Sequence, residues 1–198
     1  RSLCDWSSDV CSSDLPPELT RLATLKRSTG GGPVMDTGPA AALGVLFDRE
    51  TQERINERGA LVVNMGNSHV LGLLVHGGKL AGVYEHHTGM VDRLTLEAQL
   101  ARFRRGEMAC EEVFAGGGHG CTVRDMPSDF AETYVIGPRR SELAGMDAHF
   151  PAPGGDMMLT GCFGLLKAWQ ARSGQGAALD PAGLRPAPAG GRCLPPDP

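Results

Sequence analysis

The chain lacks a long apolar run and an excess of either charge. Its 198 residues contain 19 Lys and Arg against 23 Asp and Glu, a formal net charge of −4. A chain without a basic face is a poor candidate for nucleic-acid binding, so we expect no nucleic-acid partner. The apolar residues 71–75 are followed by His76 and two glycines, far short of a bilayer-spanning length. We therefore expect no membrane partner.

Both ends of the chain lack the apolar periodicity of folded protein. Residues 5–15, DWSSDVCSSDL, resemble the in-frame translation of a sequencing adapter. We set residues 1–15 aside as an artefact, the alternative being a disordered native leader. Residues 173–198 are rich in Gly, Ala and Pro, which predicts a loose tail. One folded unit, residues 16–172, remains.

The chain also has too few cysteines to build a framework of disulfide bonds. Outside the first fifteen residues the cysteines are Cys110, Cys121, Cys162 and Cys193. None belongs to a C-x-x-C pair, and their spacings match no zinc ribbon or finger. The pattern excludes a disulfide scaffold and indicates a reducing compartment, so we expect a cytoplasmic protein.

What the chain does have is a glycine-punctuated apolar stretch at residues 60–89, ALVVNMGNSHVLGLLVHGGKLAGVYEHHTG. It predicts three short strands, at about residues 61–63, 70–75 and 80–84. Gly77-Gly78 supplies the positive φ angles of a two-residue hairpin. The turn Gly66-Asn67-Ser68 separates the first two strands, and such a turn leaves backbone N–H groups uncovered, which suits a phosphate.

The flanking segments predict helices and one further strand. In chain order we expect a helix from Thr37 to about Arg49, a helix after Asp92 or Thr95 that ends at Gly106, and a flexible glycine loop at 116–120. These are followed by a strand at 133–136, a short helix at 139–143, and a closing helix at 157–170 that begins after Asp156. A meander followed by helices and strands predicts an α/β fold with a mixed sheet covered by helices.

Four motifs occur in the order found in one superfamily. They are DTGPAAAL (36–43), VNMGNSH (63–69), VIGPRR (135–140) and GCFGLLKA (161–168). Together they resemble the second lobe of the actin-like ATPases, which include sugar and acetate kinases, actin and the large heat-shock chaperones. The resemblance implies a ribonuclease H-like sheet with flanking helices. It also implies that the N-terminal lobe, with its own phosphate hairpin, is largely missing, so we expect a truncated fragment.

A narrower resemblance is carried by NMGNSH, GVYEHHTG, GGHG and MMLTGCFGLLKAW. These segments are similar to a prokaryotic family of unknown function that carries the label "putative pyruvate formate-lyase activating enzyme". Activating enzymes of that kind hold an iron–sulfur cluster with C-x-x-x-C-x-x-C, and this sequence has no such run. We therefore expect no iron–sulfur cluster and no radical chemistry.

The superfamily resemblance implies ATP with Mg²⁺ as ligand. Asn64 stands where the superfamily usually has an aspartate that positions magnesium, which puts hydrolysis in doubt more than binding. Gly66, Asn67 and Ser68 would offer backbone N–H groups to a phosphate, the alternative being an ordinary hairpin turn. Asp36 is the candidate general base, and helping to cap the helix that follows is its alternative role.

The adenosine side of that site would be formed by Gly137, Pro138 and Arg139, or these residues would simply end a strand. The predicted function is thus an ATP-binding lobe that acts as a phosphotransferase or ATPase when full length, with an unknown small-molecule substrate. A non-catalytic ligand-binding relative is one alternative. The sequence does not reveal an oligomeric state.

A metal-dependent hydrolase is the other alternative, because histidines concentrate near the end of the meander. Glu85, His86, His87 and His119 are its candidate ligands. Adjacent histidines on a strand point to opposite faces, so His86 and His87 would not share one ion unless the strand has ended. His69 is interpreted as support for the neighbouring turn.

Overall fold

A computed structural model gives the fold and describes residues 19–124 and 130–173. One mixed sheet contains the strands β1 (Ala60–Met65), β2 (His69–His76), β3 (Lys79–His87), β4 (Gly120–Val123) and β5 (Glu132–Ile136). Their order across the sheet is β4-β3-β2-β1-β5. The pairs within β1–β4 are antiparallel, and β5 is parallel to β1. The predicted mixed α/β fold is confirmed.

Helices cover both faces of this sheet. They are α1 (Thr20–Ser28), α2 (Thr37–Val45), α3 (Arg49–Arg58), α4 (Arg93–Arg104), α5 (Cys110–Ala115) and α6 (Thr160–Ser173). Short 3₁₀ turns occupy Thr88–Met90, Arg140–Leu143, Pro153–Gly155 and Met157–Leu159. No helix in the described ranges combines the length and apolar character needed to cross a membrane. The predicted artefact at 1–15 and nearly all of the predicted tail lie outside these ranges.

The local signals for turns and caps are confirmed where they were strongest. Gly77 and Gly78 have φ angles of 54° and 72°, as the hairpin requires. The Asp92 carboxylate accepts a hydrogen bond from the Thr95 N–H (3.0 Å) and begins α4. Asp156 likewise accepts from the Met158 N–H (2.8 Å) at the start of the closing helical segment.

The predicted helix from Thr37 to about Arg49 begins at Thr37 as expected but ends early, and the helix that follows it was not predicted. Helix α2 ends at Val45, and a separate helix, α3, begins at Arg49. The Asp48 carboxylate accepts a hydrogen bond from the Thr51 N–H (2.9 Å), which gives α3 its own N-cap. The alanine-rich pattern belongs to α2 alone and gave no signal for α3, whose sequence is RETQERINER.

The predicted flexible loop at 116–120 is shorter than expected. Helix α5 ends at Ala115, and Gly120 already belongs to β4, which pairs with β3. A Cβ atom on Gly118 would lie 2.6 Å from Cδ2 of His86 and 2.7 Å from Cγ1 of Val113. The glycines therefore let this segment pack closely onto the buried His86 ring.

One face of the sheet is covered by helices that are themselves in close contact. This α2–α6 face carries Val62, Leu73 and Tyr134, and α2, α3 and α6 contribute to its apolar core. A Cβ atom on Gly164 would lie 1.7 Å from the carbonyl oxygen of Ala40. The small residues thus let the α2 and α6 backbones touch, as the alanine-rich sequence predicts.

The other face, here the α4 face, is filled by large side chains. Leu100, Phe103 and Tyr84 are fully buried there, together with residues of α5 and β1. The Tyr84 hydroxyl donates to Oε1 of Gln99 (2.6 Å), which satisfies the polar group that burial of the ring brings with it.

A β-bulge on β3 sets the register of the meander. Leu74 pairs with Gly82 while Val75 pairs with Leu80, so Ala81 has no partner on β2. Its carbonyl instead accepts a hydrogen bond from the Arg124 N–H (2.7 Å) on the other side. Beyond the bulge the strands stay in register to the pair His69 and His87.

Candidate functional site

The carboxyl ends of β1 and β5 lie side by side because these strands are parallel neighbours. Asn64 pairs with Ile136 at the last position of the ladder. Beyond it, the Arg139 N–H donates to the Met65 carbonyl oxygen (3.0 Å), and the Cβ position of Gly137 lies 2.6 Å from Oδ1 of Asn64. The two predicted ligand-binding turns are therefore adjacent.

The turn after β1 is held in one conformation by its neighbours. The Gly66 N–H donates to the His69 carbonyl oxygen (3.0 Å), which closes the hairpin. The buried Thr88 hydroxyl donates to the Gly66 carbonyl oxygen (2.9 Å), and the Thr88 N–H donates to the Ser68 carbonyl oxygen (2.9 Å). The N–H groups of Asn67 and Ser68 donate to no backbone carbonyl in the described ranges, so these two are the available donors.

In the turn after β5, close packing against β1 requires a glycine at position 137. Gly137 has a φ angle of 101°, and a Cβ atom there would lie 2.4 Å from the Met65 carbonyl oxygen. The position that a Cβ atom would take at Gly137 is thus occupied by β1, which explains the glycine. Pro138 is exposed, and the half-buried Arg139 forms an ion pair with Glu142.

Asp36 is the exposed residue immediately before α2. Its side chain makes no capping hydrogen bond to the helix N–H groups and accepts only a long bond from the Thr37 hydroxyl (3.4 Å). Asp36 and Thr37 line an open cavity of about 730 Å³ between α1 and the start of α2. The carboxylate is therefore free of the capping role that was its alternative.

The histidines at the end of β3 point to opposite faces, as their adjacency predicts. His86 is buried on the α4 face, and its Nδ1 lies 3.1 Å from the His87 carbonyl oxygen. His87 lies on the α2–α6 face, where the ring is partly exposed. Within the predicted set of metal ligands, His86 is therefore separated from His87.

A cluster of three histidines forms on the α2–α6 face. His69, His87 and His119 place one ring nitrogen each within 4.8 Å of the others. Their ring centroids are 4.6 Å apart for His69 and His87, 5.1 Å for His69 and His119, and 4.5 Å for His87 and His119. The Glu85 carboxylate is not part of this group, although Glu85 accepts the His119 N–H through its carbonyl oxygen (2.9 Å).

His69 is the member of the cluster that sequence reasoning missed. It is the first residue of β2 and stands directly opposite His87 in the antiparallel pair. Side chains at such paired positions are direct neighbours on one face. The sequence signal for this pair is the Gly77-Gly78 hairpin. Counting residues outward from that turn along both strands brings His69 opposite His87, provided that the extra residue in β3 is included.

His119 reaches the same face through a break in strand alternation. Continuing the β3–β4 register beyond the pair Glu85 and Gly120 would place His119 opposite His86. Gly120, however, has a φ angle of 107°, outside the extended conformation that β-strands require. The backbone therefore turns at Gly120, and the His119 ring joins His69 and His87 instead.

One comparison with known proteins gives a result. The family model described as "Putative pyruvate format-lyase activating enzyme (DUF1786)" matches residues 6–142, more than two thirds of the chain. The chain belongs to this family of unknown function, and the match begins inside the segment that the sequence analysis sets aside. No curated protein and no solved structure matches the chain.

Proposed function

We propose that this chain is a nucleotide-binding lobe of the actin-like ATPase type, with a ribonuclease H-like sheet, that binds ATP and Mg²⁺ at the carboxyl ends of β1 and β5. The observation that carries the proposal is the contact between the two turns, made by the Arg139 N–H and the Met65 carbonyl oxygen (3.0 Å). One turn would hold the phosphates and the other would lie beside adenosine, so a single nucleotide could span both.

The phosphate end of the proposed site consists of a small number of oriented groups. Thr88 fixes the turn so that the N–H groups of Asn67 and Ser68 are already in place, and preorganised donors bind anions at low entropic cost. Asn64 is half-buried at the base of this turn. Its amide can orient a magnesium-bound water but brings no charge to the metal, which favours binding over rapid hydrolysis.

The contact between α2 and α6 supports the same assignment. The superfamily resemblance implies two connecting helices rich in small residues. Here Gly44 and Gly164 let the two backbones touch, because Cβ atoms at these positions would lie 1.9 Å from the Thr160 carbonyl oxygen and 1.7 Å from that of Ala40. In this proposal the exposed Asp36 at the start of α2 is the general base that orients a water or a substrate hydroxyl.

The adenosine end is proposed to use the turn of Gly137, Pro138 and Arg139, with the Arg139 side chain in contact with the base. The Arg139 guanidinium is partly exposed and can therefore meet a ligand. A guanidinium stacks well on a flat aromatic base, with an energy of about 1 kcal/mol at such a site. Binding of the base would therefore compete with, or extend, the ion pair between Arg139 and Glu142.

The test is a titration with Mg·ATP followed by amide NMR, which resolves weak binding residue by residue. We expect the largest shifts at Asn67, Ser68 and Arg139. Asn64→Leu should weaken binding, and Arg139→Ala should weaken it about fivefold. Asp36→Asn should leave binding intact and abolish any turnover.

Arg58→Ala is the matched control, because Arg58 also forms an ion pair on the surface (3.2 Å to Glu132) but at the opposite end of β5. It should leave the ATP affinity unchanged. Shifts confined to other parts of the sheet, or no binding at millimolar Mg·ATP, would contradict the proposed function.

A further inference from the structure

The three rings of the histidine cluster have no hydrogen-bond or ion-pair partner among the described residues, and no carboxylate lies in their group. His69 and His87 are half-buried and His119 is exposed. Histidines that serve the fold usually donate or accept a bond through a ring nitrogen, as His86 does with the His87 carbonyl oxygen. Three imidazoles that gather without such a bond to a described residue are what a shared ligand would explain.

We propose that His69, His87 and His119 bind one divalent transition-metal ion, with Zn²⁺ as the ion of choice. Imidazole nitrogen is a preferred ligand of Zn²⁺, Cu²⁺ and Ni²⁺, whereas Mg²⁺ and Ca²⁺ require oxygen ligands that this group lacks. A tetrahedral Zn²⁺ ion held by three histidines keeps a fourth position open for water or for another ligand.

The geometry of the cluster is close to what a metal requires. Zinc–nitrogen bonds of about 2.0–2.1 Å in a tetrahedron place the ligand atoms roughly 3.4 Å apart. The three ring nitrogens already lie within 4.8 Å of one another. Small rotations of the side chains supply the difference, and the partial exposure of the rings leaves them room to rotate.

The backbone holds the three positions in a defined arrangement. His69 and His87 are cross-strand partners in β2 and β3. The His119 N–H donates to the Glu85 carbonyl oxygen (2.9 Å), which fixes His119 against β3. The proposed ligands are therefore attached to three adjacent segments of one sheet, and ion binding would require no rearrangement of the main chain.

This metal site adjoins the proposed nucleotide site, because His69 follows Ser68 and its carbonyl oxygen accepts the Gly66 N–H (3.0 Å). It uses none of the residues assigned to ATP, and the two bind different chemical classes of ligand. His119→Gln, whose position lies outside that turn, is expected to leave the NMR shifts caused by Mg·ATP unchanged, so failure of one proposal can be distinguished from failure of the other.

The experiment is a calorimetric titration of the untagged, metal-free 198-residue chain with Zn²⁺, repeated with Co²⁺ to obtain a visible absorption spectrum. We expect one ion per chain and the intense absorption of four-coordinate Co²⁺. His69→Gln, His87→Gln and His119→Gln should each weaken binding by more than the roughly 10–100-fold that loss of an outer-sphere partner costs.

His76→Gln is the matched control, since His76 lies at the far end of β2, away from the cluster. It should bind Zn²⁺ as the parent chain does. Zn²⁺ should also raise the Tm of the parent and of His76→Gln but not that of His69→Gln/His87→Gln. Absence of binding, or equal binding by the parent and the cluster variants, would overturn the proposal.

Discussion

The two faces of the sheet are closed by opposite means. On the α2–α6 face, glycines and alanines let two helices come into backbone contact, so almost no side-chain volume separates them. On the α4 face, large buried side chains such as Leu100 and Phe103 fill the space between helix and sheet. The stability of the first arrangement should therefore fall when a side chain is enlarged, and that of the second when a side chain is made smaller.

Gly164→Ala is expected to have the largest effect. The added methyl group would lie 1.7 Å from the Ala40 carbonyl oxygen, and the clash is with backbone, so no change of rotamer relieves it. We expect the free energy of unfolding to fall by about 4 kcal/mol or more, measured by urea denaturation.

Gly161→Ala is its control on the same helix. No atom lies within 4 Å of a Cβ at that position, so the change should raise stability by about 0.5–1 kcal/mol through helix propensity. Equal effects of the two substitutions would show that the α2–α6 contact is looser than described.

On the α4 face the expected weakness is a cavity. Leu100 is fully buried, and Leu100→Ala should reduce the free energy of unfolding by about 3 kcal/mol. Leu94→Ala on the same helix should change it by less than about 0.5 kcal/mol, because Leu94 is 77% exposed. Denaturation curves of the two variants, run side by side, make the comparison, and a similar loss in both would contradict a tightly packed α4 face.

The smallest expected effect is on the pH dependence of stability. It arises from two buried tyrosines, one on each face of the sheet. Burial raises the pKa of Tyr84 above its usual value of 10.0, and burial together with the hydrogen bond to Glu132 raises the pKa of Tyr134. Above pH 10 the unfolded chain loses these protons while the folded chain keeps them, so stability falls as pH rises.

Tyr84→Phe and Tyr134→Phe should each make that alkaline decline less steep, whereas below pH 10 neither should alter the pH dependence. Thermal unfolding at a series of pH values from 8 to 11 measures it. An unchanged slope in the double variant would show that other groups control the alkaline behaviour.

Much of the sheet could be predicted from the sequence because its signals are local. Gly77-Gly78 specifies a hairpin, and the apolar runs on either side specify the strands it joins. The end of α2 at Val45 and the whole of α3 were missed, and the start of α3 depends on a single capping side chain, Asp48. Strand β4 was missed because its four residues acquire their strand character from pairing with β3.

The histidine cluster was only partly predicted, since its geometry is not local. The sequence indicated His87 and His119 as candidates, but it paired them with Glu85 and His86. Which histidines share a face depends on the strand register and on the backbone turn at Gly120. Neither property is visible in the identity of the histidines themselves.

The unpaired Ala81 therefore has an influence far from its own position. If Ala81 were instead paired with Leu74, the rest of β3 would shift by one residue against β2, and His69 would stand opposite His86 instead of His87. The side chains of the outer part of β3 would exchange faces, which would move His87 to the α4 face and Tyr84 to the α2–α6 face. The bulge at Ala81 therefore determines, from a position near the hairpin, which histidines share a face at the opposite end of the sheet.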